Sequence, residues 1–268
     1  MGQLVDPRLD EISGAVASAR TPDTLWVHND SGDVARVFAI GVNGAVKAEV
    51  RVRGAEAIDW EDISMGPGPL GSDPHVPWLY VGDMGDNRLR RPTVQIYRFP
   101  EPTLATGAET TIDVDAQRID LRYPDGAPRN VEAMLVDPRT GELVIFTKRM
   151  DASEVFVAPA AALAPGVPVT LRAASTIPTG PRVTGADISQ DGATIVVREY
   201  ERAHVWHRAP NETVLDALSR PPATVAAPFS ESIALLPGNA GWISIAEGAG
   251  APILRGTLPS VPVPQPVR

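Results

Sequence analysis

Apolar residues along this chain come in short runs rich in Val, Ile, Leu and aromatic side chains: LWVHND, RVFAI, WLYVGD, VQIYRF, LVIFTK, EVFVAP, TIVVRE, AHVWH and WISIAE. Runs this short, bounded by turn residues, predict β-strands, because β-branched and aromatic side chains fit a pleated, half-buried surface. Only residues 158–163 and 210–218 carry a weak helical pattern. Neither stretch is long enough to organise a core.

The strands recur with a period. The segments DEIS, EDIS, EAML, ADIS and ESIA, beginning at Asp10, Glu61, Glu132, Ala186 and Glu231, align on their third, apolar residue. Each is followed by a turn rich in Pro, Asp or Gly and then by a second strand with a polar end residue, at Asn29, Asp83, Lys148, Glu199 or Glu247. A third strand follows each time (RVFAI, VQIYRF, EVFVA, HVWHR, ILRG), and a fourth in four units (VKAEVRV, AQRIDLRY, VTLRAAS, ATVAA). Antiparallel four-stranded units repeating every ~50 residues predict an all-β, five-bladed β-propeller. The chain reads as one domain, 1–268, with blades starting near 10, 61, 132, 186 and 231 and a Pro-rich tail at 259–268. Residues 3–5 are expected to pair with the last blade and close the ring, since an open ring would expose strand edges. Residues 66–77 form an insertion between the first two strands of the second blade.

Composition narrows the partners. The 268 residues include 27 Pro and 23 Gly, and 33 acidic against 24 basic side chains give a net charge of -9. A nucleic-acid groove or an anionic membrane surface is not the expected partner of such a chain. It contains no cysteine, which excludes disulfides, thiolate-held zinc or iron–sulfur centres and cysteine catalysis. With no long apolar run and no leader-like start, the chain as written is expected to be soluble, and a monomer with a small-molecule ligand is the simplest expectation.

In a propeller the innermost strands line a central channel, and their starts share one face with the ends of the second strands. Both polar ladders therefore meet at one mouth. Several carboxylates in a narrow channel repel one another unless a cation compensates, and a set of oxygen ligands suits Ca²⁺. The metal-ligand candidates are Asp10, Glu61, Glu132, Glu231, Asn29 and Asp83. The competing reading is that these acids bond to backbone amides or to basic neighbours and tie the blades together. Lys148, Arg149 and Arg198, at the ends of apolar second strands, are candidates for binding an anionic group of a substrate. Trp60, next to Glu61, is a candidate pocket wall. Glu132, Glu61 and His28, the one histidine placed at the mouth, are the catalytic candidates. Arg90 and Arg91 read as solvated flanks of the GDMGDN turn. No GxSxG, HExxH or phosphate-cradling glycine loop is present, and the histidines are too scattered for a three-histidine zinc site.

The segments WVHNDSGD, DWEDIS, LYVGDMGDN and IYRFPEP resemble a group of actinobacterial propeller proteins of largely unassigned function. More distantly the channel-mouth pattern resembles the calcium-containing gluconolactonase, paraoxonase and diisopropylfluorophosphatase propellers. Those have six blades, against five here. The resemblance implies a Ca²⁺ in the tunnel held by Glu61, Glu132, Glu231, Asp10 and Asn29, hydrolysis of a small ester, lactone or phosphoester, and a bacterial, extracellular or cell-envelope protein, with a cytoplasmic one as the alternative. Two further classes stay open: a glycoside hydrolase using the channel carboxylates, and a non-catalytic ligand-binding propeller.

Overall fold

The computed structural model describes residues 2–179 and 182–259. The first blade is β1 (Ile12–Ala17), β2 (Thr24–Asn29), β3 (Arg36–Gly41) and β4 (Val46–Arg53). The second is β5 (Trp60–Pro67), β6 (Pro77–Asp83), β7 (Val94–Pro100) and, beyond β8 (Thr110–Asp115), β9 (Gln117–Arg122). The third is β10 (Val131–Val136), β11 (Leu143–Thr147), β12 (Ser153–Ala158) and, past the short β13 (Val169–Thr170), β14 (Arg172–Ile177). The fourth is β15 (Val183–Ile188), β16 (Thr194–Glu199), β17 (Arg202–His207) and, after helix α1 (Val214–Leu218), β18 (Ala223–Ala226). The fifth is β19 (Ala234–Leu235), β20 (Trp242–Ile245) and β21 (Ile253–Gly256). The chain is a five-bladed β-propeller: each blade is antiparallel, and the inner strands β1, β5, β10, β15 and β19 neighbour one another around the axis.

Strand alternation explains how the blades stack. On β10, Met134 and Val136 enter a cluster shared with the second blade, while Ala133 and Leu135 enter one shared with the fourth. Successive side chains point to opposite faces, so one inner strand serves two cores. Each of the five blade junctions has its own apolar cluster in this way.

Two connections do more than link strands. β8 pairs parallel with β4 of the preceding blade, and β13 pairs parallel with β9. Each covers an outer edge that would otherwise present unpaired amides. VTLRAAS, expected as one strand, is thus split at Leu171 between two blades, and β8 has no counterpart in the expected set. Its side chains are all partly or fully exposed, so no buried apolar run marked it.

The ring closes through the N-terminal residues. Gln3 bridges antiparallel to Pro252, Leu4 N donates to Ala251 O at 2.9 Å, and Ile253 N donates to Gly2 O at 2.9 Å. Leu4 and Leu9 are fully buried in the cluster between the first and fifth blades. Residues 3–5 therefore do sit beside the last blade, as an isolated bridge. The tail at 261–268 lies outside the described residues. Among the described residues no helix is long and apolar enough to cross a membrane.

A bulge at the start of the inner strand sets the register in four blades. The pairing slips between Ile12 and Gly14, Trp60 and Asp62, Val131 and Ala133, and Val183 and Gly185. The extra residues are Ser13, Glu61, Glu132 and Thr184. Ser13 Oγ donates to Glu61 O at 2.7 Å, and Thr184 Oγ1 donates to Glu231 O at 3.2 Å. The same bond at two blade junctions makes Glu231 the fifth member of the set. Glu61, Glu132 and Glu231 are thus equivalent, as the tetrads imply, but Asp10 and Ala186 are not. DEIS lies three residues too early and ADIS two too late, because register follows the bulge and the hairpin partner rather than tetrad chemistry. The second ladder shifts in two blades: Thr147, not Lys148, pairs opposite the inner strand in the third, and the β19–β20 register puts Ala246, not Glu247, at the matching place in the fifth.

Candidate functional site at the channel mouth

The bulge is what aims the three glutamates. An inserted residue interrupts the alternation and turns its side chain away from both neighbouring cores. Glu61, Glu132 and Glu231 are accordingly buried but outside the apolar clusters, at the mouth. Loops add more acids: Asp30 follows β2 and Glu247 follows β20, each inside its blade, and Asp59 precedes β5 in the connection between the first two blades.

Two carboxylate trios result. Asp30, Asp59 and Glu61 each offer an oxygen within 4.8 Å of the others, and Asp30, Glu231 and Glu247 do the same. Asp30 belongs to both. Oxygen ligands about 2.3–2.6 Å from a Ca²⁺ lie at most about 5 Å apart across the ion, so either trio has the span of part of a coordination sphere. Glu132 is a further acidic neighbour, close enough for its charge to act on the Glu61 carboxyl group. Among the described residues no N–H or hydroxyl donor reaches the Glu61 carboxyl group.

These contacts leave their mark on protonation. Burial, then the charges of Glu132 and Asp30, push Glu61 well above the usual carboxyl range. Burial and the charges of Asp30 and Glu132 push Asp59 up to about 6. Glu231 is pushed up to about 7, mainly by burial, with Lys148 opposing and Glu247 adding to the rise. Glu247 is raised as well, again chiefly by burial. The donor set is one a divalent cation would satisfy, because it removes the repulsion that protons otherwise relieve.

Lys148 is the cation within this set. Its Nζ donates to Glu132 Oε2 at 2.8 Å and lies 5.4 Å from the centre of the Tyr200 ring. Burial works against its charge, and the Glu132 carboxylate outweighs that, leaving Lys148 above its ordinary pKa. Asn130 Nδ2 donates to the other Glu132 oxygen at 2.7 Å. Both oxygens of Glu132 are therefore oriented. Tyr200 stacks on Phe229 with ring centroids 4.9 Å apart, and Phe229 is 62% exposed. An aromatic platform thus stands beside the mouth, although no exposed aromatic cluster is evident in the sequence.

The other expected ligands are engaged elsewhere. Asn29 donates to Arg8 O at 2.6 Å and Asp33 Oδ2 at 2.9 Å. Asp83 is fully buried, accepts from Asp59 N at 3.1 Å and pairs with Arg91 at 2.8 Å. Asp10 is exposed, and its backbone carbonyl accepts from Gly248 N. Arg91 is no solvated flank: it also donates to Gly85 O at 2.9 Å and Gln95 Oε1 at 2.6 Å, pinning the 84–91 loop. That loop matters because Gly85 packs on Glu61 and Asp59, and a Cβ there would collide with both carboxyl groups.

His28 is fully buried under the mouth. Its Nδ1 is 2.9 Å from Asn29 O, its ring meets Trp60 edge-on at 5.7 Å, and Gly14 closes over Nε2. Burial lowers its pKa, so it is neutral at physiological pH. Trp60 donates to Glu56 O at 2.8 Å and is a buried layer behind the mouth rather than an open wall. Arg198 is wholly buried and donates to the carbonyls of Ser230 (3.0 Å), Tyr200 (3.1 Å) and Pro228, tying the fourth blade to the fifth. Arg149 is exposed and faces Asp151 and Glu154. Of the basic candidates, Lys148 alone joins the carboxylates.

Asp30, Asp59, Asn130, Tyr200 and Gly85 complete the site without having been singled out for it, and Glu247 was expected at the mouth only as a ladder end. Asp30 and Asp59 stood inside the quoted HNDSGD and DWEDIS segments. Their loop positions, which carry no strand periodicity, gave no direction for their side chains.

Fold and site together define the class: an all-β, five-bladed propeller with a dense carboxylate cluster at one end of its axis. No protein-family model and no curated protein matches the chain.

Proposed function

We propose that the mouth holds a Ca²⁺-like divalent cation and that the protein hydrolyses a small ester, lactone or phosphoester there. The observation that carries this reading is Asp30, shared by two carboxylate trios, beside a buried Glu61 whose polar neighbour is another carboxyl group. Bound cation would polarise the substrate oxygen and balance the acidic charge. Glu132, oriented by Asn130 and Lys148, accepts a proton from the attacking water. Lys148 offers its charge to an anionic part of the substrate, and the Tyr200–Phe229 pair offers an apolar face. The extracellular or cell-envelope setting belongs to the same reading, since millimolar Ca²⁺ fills sites of modest affinity.

The test is calorimetric titration of the full chain with CaCl₂, paired with hydrolysis of p-nitrophenyl acetate and a γ-lactone before and after chelation. Saturable Ca²⁺ binding that disappears in Asp30→Asn, with turnover that needs Ca²⁺ and falls at least ~100-fold in Glu132→Gln, is the expected result. Absence of Ca²⁺ binding in the wild type overturns the proposal.

Glycoside hydrolysis is the second reading, favoured by the exposed Phe229 stacked on Tyr200 next to Glu231 and Glu132. It predicts turnover of aryl glycosides that ignores chelator.

A further inference from the structure

The axis has a second opening. At the end opposite the carboxylates, a cavity of about 360 Å³ is lined by residues from the ends of the inner strands and the turns that follow them, in all five blades. Its wall is mixed: Val16, Met65, Ile188, Leu235 and Leu236 supply an aliphatic part, Arg20, His75 and Gln190 a polar one, and the 66–77 insertion closes one side through Val76. Asp62 separates the two ends: its carboxyl accepts from Met134 N at 2.8 Å and Ala186 N at 3.1 Å, reaching across the axis from the second blade to the third and fourth.

One lining group does not fit the aliphatic part. Asp187 is only 3% exposed, whereas Arg20 and His75 are exposed at the rim. Its oxygens accept from Leu235 N at 2.7 Å and Ile188 N at 2.8 Å, and among the described residues no Lys, Arg or His pairs with it. The second blade shows what the interblade bond requires. There Ser64 accepts from Val136 N at 3.0 Å, and the bulge register makes Ser64 the counterpart of Asp187 and Val136 that of Leu235. A hydroxyl suffices for the junction, so the carboxylate at 187 is surplus to it. Buried charge without a partner is unfavourable, and a cavity lies directly against it.

We propose that this cavity binds a small apolar amine, with its ammonium group on Asp187 and its hydrocarbon body against the aliphatic wall. The volume lies in the range of small-molecule pockets, and an aliphatic patch beside one buried carboxylate, with the other polar groups exposed at the rim, fixes the orientation of such a ligand. Charge complementarity selects an ammonium over an alcohol or a carboxylate, because only the cation restores the balance that Asp187 lacks. The site is independent of any cation at the mouth.

The experiment is calorimetric titration of the full chain at about pH 8, where both partners are ionised, with 2-phenylethylammonium chloride and with 2-phenylethanol. The amine is expected to bind at least tenfold more tightly than the alcohol. Asp187→Ser, which keeps the junction bond in the form Ser64 uses, should erase that preference. Met65→Trp, which fills the cavity, should abolish binding of both probes. Asp30→Asn should leave the amine's affinity unchanged. Equal affinity for the two probes, retention of the preference in Asp187→Ser or of binding in Met65→Trp, or loss of amine binding in Asp30→Asn would each overturn the proposal. The last outcome would move the amine to the acidic mouth.

Discussion

Asp62 Oδ2 accepts a hydrogen bond from the backbone amide of Ala186 at 3.1 Å, although the two residues are 124 positions apart and belong to non-adjacent blades. The same carboxyl group holds Met134 N at 2.8 Å and Ile63 N at 2.9 Å. Three inner strands therefore converge on one side chain.

Asp62→Ala leaves three amides without that acceptor in a site closed to water. Each unsatisfied buried donor costs about 1–3 kcal/mol, so a loss of at least ~3 kcal/mol is expected in urea unfolding. Asp62→Asn keeps an acceptor oxygen and should lose less. A change within ~0.5 kcal/mol for the alanine variant would show that the blades do not depend on the axial carboxyl.

Gly85→Ala tests the mouth without touching a carboxylate. The new Cβ would collide with Glu61 and Asp59, so those groups must separate. Calcium affinity should fall at least ~10-fold while the melting temperature moves by only a few degrees. Unchanged affinity would mean that the trio containing Asp59 and Glu61 is not where the ion sits.

The pH dependence follows from the raised carboxyls. Glu231, at about 7, and Asp59, at about 6, bind protons in the folded state at pH values where the unfolded chain has released them. Stability of the chelated protein should therefore fall as pH rises from about 4.5 through about 7. Buried His28 opposes this below about 6.5, since its pKa is lowered, but it is one group against several. Saturating Ca²⁺ should flatten the slope. A chelated protein whose melting temperature climbs steadily from pH 5 to about 7.5 would contradict this balance.

Deleting residues 1–5 removes the Gln3–Pro252 bridge with the two backbone hydrogen bonds that make it, and the buried Leu4. The expected loss is ~3 kcal/mol or more, from one fully buried leucine and the unpaired edge. A thermal midpoint equal to the wild type would show that the ring is closed without the N-terminal residues.

The sequence was most legible where physics is local. Short apolar runs, frequent Pro and Gly and the recurring tetrads were sufficient for most of the blade strands and the blade count, because alternation and turn chemistry act over a few residues. Glu61, Glu132 and Glu231 were legible for the same reason: each stands at or just before the start of an apolar inner strand. Lys148 was found at the end of its strand, one residue beyond the ladder position it was assigned.

What the sequence could not decide was direction. Whether Asp10 or Ser13 is the counterpart of Glu61 depends on a bulge, and the bulge depends on which hairpin partner each residue meets. Arg198 and Lys148 look alike at the ends of two second strands, yet one turns into a blade junction to cap carbonyls and the other into the mouth to pair with Glu132. Asp30, Asp59 and Glu247 come from three separate loops and meet only because five blades close into a ring. Their convergence, and the separate cavity under Asp187, are products of closure. A strand's own periodicity carries which side chains leave its surface, but only the packed neighbours determine what those side chains face.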